Sequence, residues 1–224
     1  MSKITIYFFR HGETISNVEG KCAGRTDIPV SEAGLEKLKE IKTCYEIPDV
    51  RLVFSSPAKR AITTAKMYYP DIEPIVSEQL WEVDYGTVDN EPIEVLSRVV
   101  GKDNYFTKEP SVRYPEGESY LEASFRIRAG ITRVISHCIS EKTDTVAVFF
   151  HGDIMDTLFK ECLETDISRD EFKLCPNGMG YRCYIDSEKW FEDQKIYFEE
   201  FIPKGAPRQK PEDSPYFSGR ISER

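Results

Sequence analysis

The sequence lacks the features that would place it in a membrane or on nucleic acid. Its 224 residues contain no run approaching the ~18 apolar residues that a membrane-spanning helix needs. Lys and Arg number 30 against 39 Asp and Glu, which gives a net charge of −9. The chain therefore has no basic excess with which to bind nucleic acid or anionic lipid, and we expect neither partner.

Closely spaced pairs of cysteines are also missing. The six cysteines are scattered and form no C-x-x-C pair, so their spacing predicts no zinc site. The N-terminal segment has no long apolar region of the kind found in secretory leaders. We therefore expect reduced, mostly buried thiols and a cytoplasmic protein.

The composition is that of an ordinary globular protein. Hydrophobic residues make up 40% and charged residues 31% of the chain, which leaves enough apolar surface for a sizeable core. Two nearly continuous apolar runs, 4–9 and 145–150, are typical of strands that are covered on both faces.

Helical patterns alternate with these runs. Helices are predicted at 32–43 after the N-cap Ser31, from Ser56-Pro57 through Ala65, near 91–99, at 118–140 and at 154–163; strands at 51–54, 179–185 and 194–201; extended chain at 72–82; irregular chain across the rest of 83–117. This order predicts a three-layer α/β sandwich, with a mostly parallel central sheet flanked by helices.

We assign residues 1–202 to one domain. Residues 203–224 are polar and contain four prolines, a composition that predicts an extended or disordered C-terminal tail.

Two of the three histidines occupy the same setting. His11 and His151 each follow an apolar run and precede a glycine. Because ligands of open α/β sheets bind outside the carboxyl ends of the strands, we expect both imidazoles at one rim. Arg10 adds a planar cation that is suited to phosphate. The third histidine, His137, falls within a predicted helix and is expected to be partly packed or exposed.

Other charged residues are weaker candidates on the residues alone. Arg60 lies in the first turn of a predicted helix, where an anion would relieve an unfavourable placement. Glu82 and Asp84 follow Trp81, and desolvation beside an aromatic ring raises the pKa of a carboxyl group towards that of a general acid. By composition, however, any single acidic residue is more often a solvated surface group.

Taken in order, the motifs resemble those of the histidine phosphatase superfamily, in its phosphoglycerate-mutase-like branch. The matching segments run from residue 4 to about 185: Arg10-His11-Gly12-Glu13-Thr14 with Asn17, Gly24 to Gly34, Ser55 to Ala65, Leu80 to Gly86, Gly117-Glu118-Ser119 with Arg126, His151-Gly152 and Pro176-Asn177-Gly178.

The resemblance implies a mechanism. His11 would be the nucleophile that forms a phosphohistidine, and Glu82 would protonate the leaving oxygen and then help to activate water. Arg10, Arg60 and a protonated His151 would hold the phosphoryl oxygens. Asn17 would donate a further hydrogen bond, and Thr26 and Gly152 would complete the substrate-binding set; no metal or other cofactor is implied.

The sequence departs from the family pattern at two places. Asp153 follows the second His-Gly, where it could hold His151 protonated, contribute to acid chemistry or only cap the following helix; an N-cap or first-turn aspartate is the favoured interpretation. Asn90 stands where relatives often carry glycine, which puts the shape of that loop in doubt.

We expect a phosphatase that hydrolyses a small-molecule phosphomonoester. A phosphoglycerate-type mutase is the first alternative, although the segment 87–117 is short and holds only Arg98 and Arg113. A non-catalytic protein that binds phosphate or a phosphopeptide is the second. The residues leave the identity of the ester and the oligomeric state open.

Overall fold

The two apolar runs lie side by side at the centre of a sheet. In the computed structural model, which describes residues 2–167 and 175–207, strand β1 (Lys3–Arg10) pairs in parallel with β6 (Thr145–Phe150). Arg10 is in register with Phe150, and the His11 N–H donates to the Phe150 carbonyl at 3.0 Å. The two histidines that follow therefore leave the sheet at the same edge.

Five further strands of the described chain extend this pair on both sides: β3 (Leu52–Ser55), β4 (Ile75–Val76), β7 (Leu163–Glu164), β8 (Gly180–Asp186) and β9 (Ile196–Ile202). Two short strands, β2 (Lys21–Cys22) and β5 (Glu91–Pro92), pair with each other in a separate antiparallel sheet. Within the described residues, seven strands form the main sheet in the order β4-β3-β6-β1-β8-β9-β7. Within this sheet, only the β1–β8 and β8–β9 pairs are antiparallel, which confirms a mostly parallel sheet.

Helices cover both faces of the sheet. They are α1 (Ile15–Val18), α2 (Glu32–Cys44), α3 (Lys59–Tyr68), α4 (Ile93–Val100), α5 (Lys102–Thr107), α6 (Tyr120–Ser140) and α7 (Gly152–Cys162), with a further turn at Trp190–Asp193. Phe8 and Val148 pack in one core cluster with α6 and α7. Phe9 and Phe149 pack in the other with α2 and α3. The predicted three-layer sandwich is confirmed.

Local sequence signals set several helix ends. The Ser31 side chain accepts from the Gly34 N–H at the start of α2, as predicted. Ser119 and Glu122 form a capping box at the start of α6. Within α6, position 130 accommodates only glycine without adjustment, because a Cβ atom there would lie 2.9 Å from the Gln79 Cβ. The glycine thus lets α6 pack tightly against the segment that leads to Glu82.

Three local predictions need correction. Helix α3 begins at Lys59 and not at Ser56, whose hydroxyl is bonded to a histidine instead of capping the helix. The segment 72–82 holds only the two-residue strand β4 and a 3-10 turn at Glu78–Leu80. Helix α4 matches the short helix expected near 91–99, but α5 was not predicted.

Other expectations can be compared directly with the structure. The six cysteines are free thiols, and four of them are buried, as expected. In the described part of the chain, no helix is both long and apolar enough to cross a membrane. The predicted tail falls mostly outside the described residues, so its conformation beyond residue 207 stays a prediction.

Candidate active site

His11 lies directly beyond the end of β1 and is buried, with 4% of its surface exposed. Its Nδ1 lies 2.7 Å from the Gly12 carbonyl oxygen. A carbonyl oxygen can only accept, so Nδ1 must carry the proton and the neutral ring keeps its lone pair on Nε2. Burial, and then the charges of Arg60 and Arg10, hold the pKa of His11 well below its usual 6.5. His11 is therefore a neutral imidazole with a nucleophilic Nε2.

His151 occupies the equivalent place beyond β6. Its ring centroid lies 5.2 Å from that of His11, so the two imidazoles meet as predicted. Nδ1 accepts from Arg60 Nε at 3.3 Å, and Nε2 lies 2.7 Å from the Ser56 hydroxyl. Because an arginine N–H donates to Nδ1, the proton of the neutral ring is on Nε2.

The expected protonated state of His151 needs correction. Burial, followed by the charge of Arg60, places the pKa of His151 well below 6.5. The nitrogen that would take the second proton already accepts from the guanidinium. The structure therefore favours a neutral His151.

Arg10 ends β1 and lies against the start of α7. Its Nη1 donates to the Cys175 carbonyl at 2.8 Å. A Cβ on Gly152 would lie 3.4 Å from Arg10 Nε, so the guanidinium and the first turn of α7 are neighbours. The Gly152 N–H has no hydrogen-bond partner within the described residues. Arg10 and this N–H thus place two donors for an anion close together.

Arg60 is fully buried and organises the loop before α2. It donates to His151 and to the carbonyls of Ala23, Gly24 and Thr26, each carbonyl at 2.9 Å. A guanidinium has five N–H groups, and these contacts use four of them. Arg60 therefore adds positive charge to the site and fixes its wall.

Thr26 is bound to other protein groups. Its N–H and hydroxyl donate to Asp89 Oδ2 at 2.7 and 2.9 Å, and its carbonyl accepts from Arg60. The structure brings Thr26 beside Arg60, and its role in substrate binding stays a prediction.

Asn17 is held so that its amide nitrogen is the donor. The Oδ1 atom accepts from the Thr14 N–H at 3.1 Å and from Asn177 Nδ2 at 3.2 Å. A backbone N–H can only donate, which identifies this atom as the oxygen. Asn177 also donates to the His11 carbonyl at 3.0 Å, so Asn17 is tied to the segment that carries His11.

The Glu82 carboxyl group lies against the N-terminus of α7 and accepts hydrogen bonds from three backbone N–H groups. Oε1 accepts from Val83 at 3.0 Å and Ile154 at 2.7 Å, and Oε2 accepts from Asp153 at 3.1 Å. The residue is only 6% exposed. Burial, and next the charge of Asp153, raise the pKa of Glu82 to about 7, against the opposing effect of the hydrogen bonds. Glu82 can therefore carry or release a proton near neutral pH.

The two other carboxylates differ from Glu82 in their surroundings. Asp153 lies in the first turn of α7, as expected, but its side chain does not cap the helix, because Glu82 accepts the N–H groups of Asp153 and Ile154. The Asp153 Oδ2 atom instead binds Tyr85 at 2.7 Å and Lys108 at 2.9 Å. The capping part of the favoured interpretation is therefore wrong. Asp84 has a side chain that is 37% exposed and accepts from the Gly86 N–H at 3.0 Å.

Asn90 adopts a left-handed backbone with φ of 60°. Glycine takes this conformation most easily and asparagine is among the next most tolerant residues. The Asn90 side chain also accepts from the Ser16 hydroxyl at 2.7 Å. The loop therefore keeps a glycine-like turn despite the substitution.

Sequence reasoning missed three neighbours of the site. Ser56 binds His151, the Trp81 ring lies parallel to the His151 ring with centroids 6.2 Å apart, and Lys108 pairs with Asp153. Ser56 carried a signal, but it was interpreted as a helix cap. Nothing in the sequence distinguishes the buried Lys108 from a surface lysine. His137 is half-buried against Phe54, with ring centroids 5.4 Å apart, as expected for a packed helical residue.

Metal-binding side chains do not cluster here. Throughout residues 2–167 and 175–207, no three His, Cys, Asp or Glu side chains are grouped so that they could hold a metal ion. The polar groups of the site are instead hydrogen-bond donors, two imidazoles and a protonatable carboxyl group.

Comparison with known proteins shows which family the chain belongs to. The chain is 29% identical over 183 residues to the uncharacterized phosphatase PhoE of Bacillus subtilis (strain 168), covering 81% of this chain and 88% of that protein. It is 26% identical over 135 residues to the protein named "Probable phosphoglycerate mutase GpmB" of Yersinia pestis (strain Pestoides F), covering 57% of this chain and 61% of that one.

A solved structure agrees in fold. The crystal structure of phosphoglycerate mutase from Bacillus anthracis str. Sterne superposes with a TM-score of 0.71 at 22% identity, covering 89% of this chain and 92% of that chain. The family model described as "Histidine phosphatase superfamily (branch 1)" matches residues 6–194, which include both imidazoles, both arginines and Glu82. The protein belongs to the histidine phosphatase superfamily.

Proposed function

We propose that this protein is a phosphatase that hydrolyses a small-molecule phosphomonoester through a phosphohistidine on His11. The observation that carries the proposal is the Gly12 carbonyl, which holds the proton of His11 on Nδ1 and leaves the lone pair on Nε2. This nucleophile lies beside His151 in a buried site that also contains two arginines. Nucleophile, positive charge and proton donor are then all supplied by the protein.

In the first step, His11 Nε2 attacks phosphorus. A P–N bond forms, the bond from phosphorus to the ester oxygen breaks, and the protonated Glu82 carboxyl group gives its proton to the departing oxygen. Arg10, the Gly152 N–H and the amide of Asn17 donate to the phosphoryl oxygens. These groups are fixed before the substrate arrives, so they stabilise the charge that develops in the transition state without reorganising.

In the second step, Glu82 acts as the base. Its carboxylate takes a proton from water, the water oxygen bonds to phosphorus, and the P–N bond breaks. Inorganic phosphate leaves, and both His11 and Glu82 return to their starting protonation states. His151 keeps Arg60 oriented through Nδ1. Its Nε2–H can exchange its hydrogen bond to Ser56 for one to a phosphoryl oxygen.

The expected pH dependence follows from the lowered pKa of His11 and the raised pKa of Glu82. In kcat/KM, which reports the free enzyme, His11 must be neutral and Glu82 protonated. Because the pKa of His11 is lowered, the acid limb should lie below pH 6.5; because that of Glu82 is raised, activity should fall as pH rises through about 7. We expect a bell-shaped profile for an alkyl phosphate once the second ionisation of the ester, near pKa ~6, is taken into account.

Kinetics of the Glu82→Gln variant provide the control for this profile. The variant carries no titrating carboxyl group at this position, so its residual activity should lose the basic limb. A basic limb that persists unchanged in the variant would show that another group controls it.

A panel of phosphomonoesters tests the activity itself, with released phosphate measured for the wild type and for His11→Ala. We propose that the reaction is metal-independent and takes place in the cytoplasm, and the panel is therefore run with and without a chelator. Isomerisation of a phosphoglycerate without release of phosphate would establish a mutase. Phosphate binding without turnover of any ester would establish a binding protein and overturn the proposal.

A further inference from the structure

A buried ion pair lies behind Glu82. Lys108 Nζ is 2.9 Å from Asp153 Oδ2, and only 5% of the lysine side chain is exposed. The Tyr85 hydroxyl donates to the same oxygen at 2.7 Å. A buried ion pair contributes little stability compared with apolar residues of the same volume, so its position next to the site points to another role.

The lysine itself is not placed to bind a substrate. Its ammonium group lies 4.3 Å from the centroid of the Tyr105 ring and 5.1 Å from that of Tyr120, and both rings are buried. With this covering, Lys108 offers almost no surface to a ligand. Lys108 can therefore act on the site only through its charge, and Asp153 is the charged group with which it interacts most strongly.

Asp153 is the immediate neighbour of Glu82. The N–H of Asp153 donates to Glu82 Oε2 at 3.1 Å, so the Glu82 carboxyl group is hydrogen-bonded to the residue that carries the second carboxyl group. Two carboxylates this close in a buried site cannot both ionise cheaply. Asp153 has a cation and a hydroxyl donor to stabilise its charge, whereas Glu82 has only backbone N–H groups.

We propose that Asp153, kept ionised by Lys108 and Tyr85, is a positioning residue that keeps the Glu82 carboxyl group protonated at neutral pH. The inference rests on the proposed function, in which Glu82 supplies the proton. It gives Asp153 and Lys108 a part in the reaction although neither touches the reacting atoms.

The directions of the shifts agree with this division of the proton. Burial would raise the pKa of Asp153, but Lys108 and Tyr85 outweigh it and the pKa is lowered. Burial and then Asp153 raise the pKa of Glu82. The other charged or titratable groups around the two carboxyls are Arg10, Cys22, Arg60, Tyr105, Tyr114, Tyr120, Arg126, His151 and Asp156. Of the charged groups near Glu82, Asp153 has the largest effect on its pKa.

The test is a direct titration of Glu82 that does not depend on activity. Carboxyl-labelled glutamate is followed by ¹³C NMR, and the Glu82 signal is assigned by its loss in Glu82→Gln. In Asp153→Asn the midpoint should fall by about one pH unit or more. The basic limb of kcat/KM for an alkyl phosphate should fall with it.

Two further variants separate charge from structure. Tyr85→Phe removes a hydrogen bond to Asp153 but leaves its charge, so the Glu82 midpoint should stay near that of the wild type. The double variant Asp153→Asn with Lys108→Met removes both charges and leaves no unpaired buried cation, which protects the test if the single variant fails to fold. Its midpoint should lie between those of the wild type and Asp153→Asn.

The outcomes distinguish this inference from the proposed function. An unchanged Glu82 midpoint in Asp153→Asn, or a shift in Tyr85→Phe as large as in Asp153→Asn, overturns the inference whatever the activity. A lowered midpoint with an unmoved basic limb supports the electrostatic inference and shows instead that Glu82 is not the proton donor.

Discussion

Replacing His11 with asparagine is expected to lower kcat/KM by at least about 10⁴-fold, the scale of loss seen when a covalent nucleophile is removed. The asparagine amide can still donate to the Gly12 carbonyl that holds Nδ1 in the wild type, so the local hydrogen bond is kept while the nucleophile is lost. Steady-state release of phosphate from the best ester of the panel measures the effect.

His137→Asn is the matched control. This histidine lies on α6 and packs against Phe54, away from the two strand ends. The same substitution there should leave kcat/KM within a few-fold of the wild type. Equal activities of His11→Asn and the wild type, with both proteins folded by circular dichroism, would rule out His11 as the nucleophile.

Replacing Glu82 with glutamine is expected to affect esters according to their leaving groups. An alkyl phosphate needs the proton, so its kcat/KM should fall by about 10²–10⁴-fold. A nitrophenyl phosphate has a leaving group that departs as the anion, so its loss should be much smaller. Rates for a series of esters, plotted against the pKa of the leaving alcohol or phenol, measure the difference.

The glutamine also introduces a conflict that a stability measurement must check. Both Glu82 oxygens accept backbone N–H groups, and an amide NH₂ in place of one oxygen leaves a donor facing a donor, at a cost of about 1–3 kcal/mol. Thermal unfolding shows whether the variant is folded under assay conditions. Asp84→Asn is the matched control, since its half-exposed side chain bonds to Gly86 and should change neither ester strongly. Equal losses for alkyl and aryl esters in Glu82→Gln would argue against a proton donor.

The parts of the fold that could be predicted are those with strong local patterns. The apolar runs of β1 and β6 and the periodic helix α6 allow few alternative structures, and they lie where expected. The start of α3 was misplaced because Ser56 has a tertiary partner in His151. The segment between Glu82 and α6 was predicted least well, since its short helices depend on packing rather than on their own sequence.

In the site, too, the identity of most residues could be predicted from the sequence, whereas their protonation states could not. The order of the motifs brought His11, His151, Arg10, Arg60 and Glu82 forward as candidates, and the structure places them around the ends of β1 and β6 and the start of α7. Protonation states could not be predicted, because they depend on contacts such as the Gly12 carbonyl with His11 and the Arg60 N–H with His151. The role of Lys108 was equally hidden, since burial by aromatic rings is a tertiary property.

The most direct test of the central claim is to identify the atom that carries phosphate during turnover. The enzyme is mixed with an excess of a fast aryl phosphate, quenched in alkali within the first turnover, digested and analysed by mass spectrometry, with ³¹P NMR to distinguish the two ring nitrogens. The structure predicts one phosphoryl group on His11, bonded to Nε2 and lost in acid. Phosphate on Nδ1, on another residue, or on no residue during a measurable burst of product would contradict the account.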